Sequence, residues 1–454
     1  MVDHAPRGAT DPLLKGGCVP TAPDTIVAIA TPPGHGAVGI VRASGPLARA
    51  LAEQFLGFVP PPRYAVYGAF RDEASVLDKG IALFFPAPHS FTGQDVLELQ
   101  GHGGPAVLDL ILKRALTLGA RLARPGEFSE RAFLNGKLDL AQAEAVADLI
   151  GSGSEAAARA AMRSLEGVFS TAVHALVERV IELRLRVESA IDFADEDIAF
   201  DGDDTVLRVA QTLSAEVGAL RRDAMNGRVL NDGLLAVLVG APNTGKSSLL
   251  NALAAHDAAI VSPVAGTTRD VLRVSLTVLG VPVEVVDTAG LREARDEIER
   301  EGVRRAEQVA READVVLLVV DDRSPETPLA ADAATLVVHN KIDLTGRMPG
   351  PIEGAPRSVA VSARTGAGLD ALRALMIGRA PDHDARGVFS ARARHLEALA
   401  RAEAHLAAGA RAEQGLELLA EDLRQAQQAL DEITGRFTAD DLLGRIFSTF
   451  CIGK

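Results

Sequence analysis

Gly240-Ala241-Pro242-Asn243-Thr244-Gly245-Lys246-Ser247 follows the apolar run 234–239 and runs into Ser248-Leu249-Leu250-Asn251-Ala252-Leu253. The pattern is G-x-x-x-x-G-K-S between a strand and a helix, the form of a phosphate loop. Its glycines let backbone N–H groups turn towards a polyphosphate at the helix N-terminus, Lys246 reaches the β- and γ-phosphates, and the Ser247 hydroxyl can ligate Mg²⁺. Asn243, Thr244, Gly245, Lys246, Ser247 and Ser248 are the candidate phosphate-binding residues. The bland alternative is a glycine-rich turn without a ligand.

Three further elements follow in order. The strand 281–286 delivers Asp287-Thr288-Ala289-Gly290, where Asp287 can hold Mg²⁺ through water and the Gly290 N–H can meet a γ-phosphate. The strand 335–338 delivers Asn340-Lys341-Ile342-Asp343, and the Asp343 carboxylate can accept both N–H donors on the guanine edge that adenine lacks. A buried carboxylate left unpaired by the wrong base rejects it strongly, so the motif reads for GTP over ATP. Ser362-Ala363, after the strand 358–361, stands where the base pocket closes.

With 454 residues, 47% hydrophobic and 24% charged, the chain has ordinary globular composition and room for about three domains. No apolar run approaches the roughly 18 residues that span a bilayer, so no membrane role is expected. A formal net charge of -14 argues against coating nucleic acid, because phosphate contacts need clustered Lys and Arg. The two cysteines, Cys18 and Cys451, form no CxxC or His/Cys cluster, so neither a disulfide framework nor a zinc site is indicated, and a reducing cytoplasm fits. Residues 1–24 lack a signal-peptide core and read as a disordered lead-in.

Strands are expected at 25–30, 38–42, 64–70, 81–85 and 95–100, with helices at 47–56 and 106–117, giving an α+β domain over 25–140. Two polar, glycine-rich stretches in it, 99–104 and 124–131, read equally as loop chemistry or as function. From Leu138 the texture becomes helical, and Leu176, Val180, Leu183, Val187 and Ile191 form one apolar stripe. Asp192, Asp195, Glu196 and Asp197 then read as a solvated helix end rather than a cation site. A helix over 206–225 leads into an α/β domain over 232–380. Beyond 381, Leu416, Leu419, Leu423, Ala426, Leu430 and Ile433 mark a helix with a face to bury. The economical arrangement is one helical domain built from 141–231 and 381–454, with a Ras-like α/β P-loop GTPase domain inserted in it.

Ras-like enzymes orient the attacking water with a Gln just after the glycine of Asp-x-x-Gly; here that position is Leu291. The missing stabilisation must come from an Arg in Leu291-Arg292 or Thr267-Thr268-Arg269-Asp270, from a carboxylate among Glu293, Asp296, Glu297 and Glu299, or from a monovalent cation. The Asn243 amide oxygen can help hold such a cation, or simply cap its loop.

Thr31-Pro32-Pro33-Gly34, Ser90-Phe91-Thr92-Gly93, Gln100-Gly101-His102-Gly103-Gly104, Arg124-Pro125-Gly126-Glu127-Phe128, the run 132–145, the phosphate loop, Ala265-Gly266-Thr267-Thr268-Arg269-Asp270, Asp287-Thr288-Ala289-Gly290-Leu291-Arg292 and Cys451-Ile452-Gly453-Lys454 together resemble the MnmE (TrmE) family of tRNA-modification GTPases. The likeness covers nearly everything after residue 24. It implies an N-terminal tetrahydrofolate-binding module through which the chain forms a homodimer, and an FAD-dependent partner, MnmG (GidA), in a heterotetramer. It also implies that the pair adds an aminomethyl-type (carboxymethylaminomethyl) group to C5 of the wobble uridine of certain tRNAs, with the one-carbon unit supplied by methylenetetrahydrofolate. Hydrolysis would be activated by K⁺ and by GTPase-domain dimerisation.

By position, the resemblance assigns Mg²⁺ to Ser247 and Thr268, and K⁺ to Asn243 and the carbonyls of Ser262, Val264 and Thr267. Thr288, Ala289, Ser262, Thr267 and Thr268 join the GTP site, and Glu299, twelve residues beyond Asp287, positions the water with Lys246 on the phosphates. Arg42, Glu98, Lys137 and Lys454 match the folate contacts, where 5-formyltetrahydrofolate also fits. Cys451 takes either a thiol role or packing beside the pterin. His35 stands where the family usually carries Arg. Two other readings remain: a GTPase switch in ribosome assembly, for which no basic RNA-binding appendage is apparent, and a nucleotide-gated scaffold whose N-terminal domain only dimerises.

Overall fold

Alternation sets the first sheet: in Val96-Leu97-Glu98-Leu99-Gln100, Leu97 and Leu99 are buried while Glu98 and Gln100 face the other way. The computed structural model describes residues 24–73, 75–192, 203–256, 272–287, 313–324, 335–378, 389–411, 415–436, 440–451 and 453. The chain divides into two compact units, 1–138 with 439–454, and 139–438. Among the described residues no helix is long and apolar enough to cross a membrane.

The first unit is α+β. Strands β1 (Ile26–Ile29), β2 (Gly36–Ser44), β3 (Val66–Asp72), β4 (Ser75–Phe85), β5 (Val96–Gly103) and β6 (Arg121–Leu122) form one sheet in the order β3-β4-β5-β2-β1-β6. All its pairs are antiparallel except β1 with β6. Helices α1 (Ala48–Leu56) and α2 (Pro105–Thr117) cover one face, burying Phe55, Phe70, Phe84, Leu97 and Ile111. The stretch 124–131, open between loop and function on sequence, instead feeds a third helix, α3 (Glu127–Leu134). Acidic residues suit a first helical turn, and Glu127 is enclosed there by Arg121 (2.5 and 2.9 Å), Arg131 (3.1 Å) and the Arg124 N–H (2.8 Å). Burial pushes the Glu127 carboxyl up, but these donors outweigh it and hold the pKa at about 2. Residues 439–454, grouped on sequence with the C-terminal helices, cluster with this unit: the Phe447 ring lies 6.4 Å from that of Phe133.

The second unit carries the helices and the inserted α/β portion. Asp139 caps α4 (Leu140–Gly151) in a capping box with Gln142, and Ser154 caps α5 (Glu155–Leu165). The stripe read on sequence lies in α6 (Val168–Asp192) and is buried against α7 (Asp203–Asp232).

The α/β portion follows: β7 (Leu234–Val239), α8 (Lys246–His256), β8 (Leu272–Val278), β9 (Val281–Asp287), β10 (Val315–Asp321), β11 (Thr335–Asn340), β12 (Gly350–Ile352), β13 (Ala355–Ala360) and α9 (Leu369–Ile377). Its sheet order is β12-β13-β11-β10-β7-β9-β8, with parallel pairing from β13 through β9 and an antiparallel strand at each edge. Helices α10 (Ala393–Gly409) and α11 (Leu416–Thr434) then return to α6 and α7, and a single core gathers Val180, Leu213, Leu399, Leu423 and Leu430 from both sides of the insertion. Fully burying each such Leu or Val is worth about 1.5–3 kcal/mol.

A polar joint closes this core. Arg394 forks onto Glu144 of α4 (2.8 and 2.6 Å) and donates to the last carbonyls of α11, Glu432 and Ile433 (3.0 and 3.1 Å). Arg392 and the Ser390 hydroxyl donate to Asp148 (2.6 and 2.5 Å). His395 Nδ1 accepts the Arg392 N–H at 3.1 Å, so that nitrogen carries no proton, and Nε2 lies 2.9 Å from Glu144. Burial, and then the Arg394 charge, push the His395 pKa down. Glu144, although burial raises it, is held well below the usual carboxylate range by His395 and then Arg394 beside it.

Candidate functional site

Parallel strands leave ligand loops at their carboxyl ends, and there β7, β10 and β11 bring the nucleotide motifs together. Gly240 has φ 146° and a Cβ there would sit 2.2 Å from the Val319 carbonyl oxygen; Gly245 has φ 94° and a Cβ would sit 2.4 Å from Asn340 Nδ2. Both positions therefore require glycine. Lys246, 7% exposed, donates its ammonium to Gly240 O and Ala241 O (3.0 and 2.9 Å) inside the loop. Ser247, at the head of α8, donates its hydroxyl to Asp287 at 2.9 Å. The Thr244 hydroxyl closes the turn on Ala241 O at 3.0 Å, and Ser248 is exposed in the first turn of α8.

The residues expected on sequence to read the base form one hydrogen-bonded group. Asn340, 1% exposed, donates to Thr244 O (2.9 Å) and accepts the Ala363 N–H (3.0 Å), fixing the phosphate loop against the 362–363 turn. Ser362 donates to Asp343 (2.7 Å), and exposed Arg364 approaches the same carboxylate at 3.1 Å. The Lys341 ammonium donates to Asn243 O (2.5 Å) and to Asp321 (2.8 Å).

Asn243, Thr244, Gly245, Lys246, Ser247, Asp287, Asn340, Lys341, Asp343, Ser362 and Ala363 thus lie along one hydrogen-bonded rim. Ser262, Val264, Thr267, Thr268, Thr288, Ala289, Gly290 and Glu299 lie outside the described residues, as do Leu291, Arg292, Arg269, Asp270, Glu293, Asp296 and Glu297. Asp321 and Arg364 were missed on sequence. Asp321 ends the apolar run 315–320 as Asp287 ends 281–286, which is the signal that points to it.

In the first unit, Arg42 and Glu98 are cross-strand partners of β2 and β5, joined at 2.8 Å. Arg42 also donates to Gly453 O at 3.4 Å and lies 5.8 Å from the Phe128 ring centroid. The Cys451 carbonyl accepts from Gly126 N–H (3.4 Å), and the residue is exposed with a free thiol. The C-terminal segment therefore lies against Arg42. Lys137 is exposed in the turn after α3, beside Gly93; Lys454 lies outside the described residues.

A family model described as the MnmE helical domain matches residues 140–451, and one described as the N-terminus of the GTP-binding protein TrmE matches residues 25–137. Among solved structures, the chain is similar to the G domain of the T. maritima FeoB iron transporter, at 24% identity over 32% of this chain and 96% of that one, with a TM-score of 0.24. It is also similar to the Methanococcus jannaschii FeoB G domain (23% identity, 32% and 94% covered, TM-score 0.23). A third is a Sulfolobus solfataricus GTP-binding protein solved with GDP (18% identity, 44% and 64% covered, TM-score 0.23). Scores this low leave the nucleotide site to stand on its own residues.

Proposed function

The chain belongs to the MnmE (TrmE) family of tRNA-modification GTPases, and from that premise we propose that it is the GTP-hydrolysing, folate-binding member of a two-protein wobble-uridine modification system. With an FAD-dependent MnmG (GidA) partner, it adds a carboxymethylaminomethyl-type group to C5 of the wobble uridine of certain tRNAs. The one-carbon unit comes from a tetrahydrofolate derivative on a homodimer of the N-terminal module, and the functional division of the chain falls near residues 140, 231 and 380.

The observation that supports the folate part is the convergence of Arg42, Glu98 and the C-terminal segment in one unit. A guanidinium anchored by a carboxylate, beside a buried aromatic ring, suits an anionic ligand with a flat ring system. At the other site, Ser247 and Asp287 supply hard oxygen donors of the kind Mg²⁺ takes, with Thr268 as a further donor; the ion offsets phosphate charge. Asn243 is the described member of the K⁺ set. Lys246 binds the phosphates and Glu299 positions the water.

Calorimetric titration with 5-formyltetrahydrofolate tests this reading. Saturable binding by the purified chain, lost in Arg42→Ala, is the expected result. A GTP-competent protein that takes up no folate would favour the alternative, a GTPase switch in ribosome assembly. GTP turnover in KCl against NaCl tests the cation separately, with faster turnover expected in K⁺.

A further inference from the structure

Lys341 is a non-glycine residue at φ 71°, and Asn243, in the phosphate loop, is another at φ 62°. Such backbone states cost of order 1–3 kcal/mol each and persist where the surroundings over-determine them. Here the Lys341 ammonium bridges the two loops, donating to Asn243 O at 2.5 Å and to the Asp321 carboxylate at 2.8 Å. Asp321 is well placed to hold it, because β10 and β11 run parallel with Asp321 in register with Asn340, the residue before Lys341.

The adjacent Asp322 works from behind. Its N–H donates to Asn340 O (2.9 Å), and its carboxylate, 1% exposed, accepts the Thr345 hydroxyl (2.5 Å) and lies 2.9 Å from Arg347 Nε. The segment carrying Asp343 is thereby tied to β10 on one side by Asp321 through Lys341, and on the other by Asp322 through Thr345 and Arg347.

We infer that Asp321 is a positioning residue for guanine-nucleotide binding, holding the Lys341 ammonium on the phosphate loop so that the base-recognition segment and the phosphate loop close on a nucleotide as one body. The inference rests on the GTP reading of this site. Asp321 touches no nucleotide in this role; it acts through Lys341. The exposed Arg323 competes for the same carboxylate, with Nε and Nη2 at 3.0 and 2.7 Å. Arg323 first, and Lys341 after it, keep the Asp321 carboxyl well below the usual range, so its charge is present at any working pH.

The test is the affinity and dissociation rate of fluorescent GDP, with GTP as competitor, on the full chain. Asp321→Asn keeps the shape and removes the charge. It should weaken both nucleotides about ten-fold, chiefly through faster dissociation, the scale of one charge-assisted hydrogen bond. In a Lys341→Ala background the same change should cost less than two-fold. Asp321→Glu should recover most of the affinity, and Arg323→Ala should not weaken binding.

Wild-type affinity in Asp321→Asn would overturn the inference. So would an undiminished ten-fold loss in the Lys341→Ala background, a failure of Asp321→Glu to recover any affinity, or a loss in Arg323→Ala equal to that of Asp321→Asn. A wild-type chain that binds no GDP would instead sink the GTP reading itself.

Discussion

The nucleotide rim and the Glu144 joint are both polar networks that tie together segments far apart in sequence, but they are built differently. At the rim, several side chains hold loop backbone: Asn340 on Thr244 O, Lys341 on Asn243 O, Lys246 on Gly240 O and Ala241 O. At the joint, side chains hold one another in the core, Glu144 meeting Arg394 and the His395 ring, with Glu144 and His395 at 1% and 2% exposure. An ammonium on loop carbonyls can exchange one acceptor for another at little cost, which suits a site that must admit a polyphosphate. A buried carboxylate forked by an arginine cannot exchange, because any uncompensated charge there is heavily penalised. The rim is made for a ligand, and the joint fixes how α10 and α11 return to α4 after the insertion.

The sharpest way to break this contrast is Glu144→Ala. It strands Arg394 and His395 in the core and is expected to cost about 3–5 kcal/mol in denaturant unfolding, while fluorescent GDP affinity stays within two-fold. A variant that lost GDP affinity and kept its unfolding midpoint would reverse the roles. Next in size is Asp343→Asn, which removes the carboxylate proposed to take the guanine donors. GTP affinity should fall by about 100-fold or more and the preference for GTP over ITP should shrink, with little change in the nucleotide-free melting temperature. An unchanged preference would place base recognition elsewhere.

The smallest expected effect separates the two regions by pH. His395 is pushed down in the fold, so the unfolded chain takes up a proton that the folded chain resists. That stability is complete above the unfolded value of about 6.5 and is lost as pH falls below it. Between pH 7.5 and 5.5 the loss should reach about 1 kcal/mol in unfolding experiments and vanish in His395→Gln. Over the same range Asp321 stays ionised, so its hold on Lys341 should not change. A wild-type unfolding midpoint that does not move would mean that His395 takes up its proton in the fold as readily as in the unfolded chain.

Much of the nucleotide rim was legible because each part is a short, contiguous run: a strand, two obligatory glycines, a lysine, then strands ending in Asp287 and Asn340. The stripe in α6 and the seam in α11 were equally visible, since 3.6-residue periodicity is local. Helix α3 was not resolved, because its formation depends on Glu127 finding Arg121, Arg131 and the Arg124 N–H in three dimensions. Arg42 and Glu98 were singled out by resemblance alone, and their pairing across β2 and β5 joins residues 56 apart in the chain.

By itself the sequence determined the phosphate loop, the guanine-reading motif and the helical periodicities, because backbone conformation and amphipathic repeat are set by neighbours within a few residues. Tertiary structure alone decided that Asp321 would hold Lys341, that the C-terminal segment would join the first unit, and that Glu144 would meet Arg394 across 250 positions. Those contacts depend on which strands lie side by side and which helices share a core, and a charged residue in a sequence carries no mark of the partner that burial will impose on it.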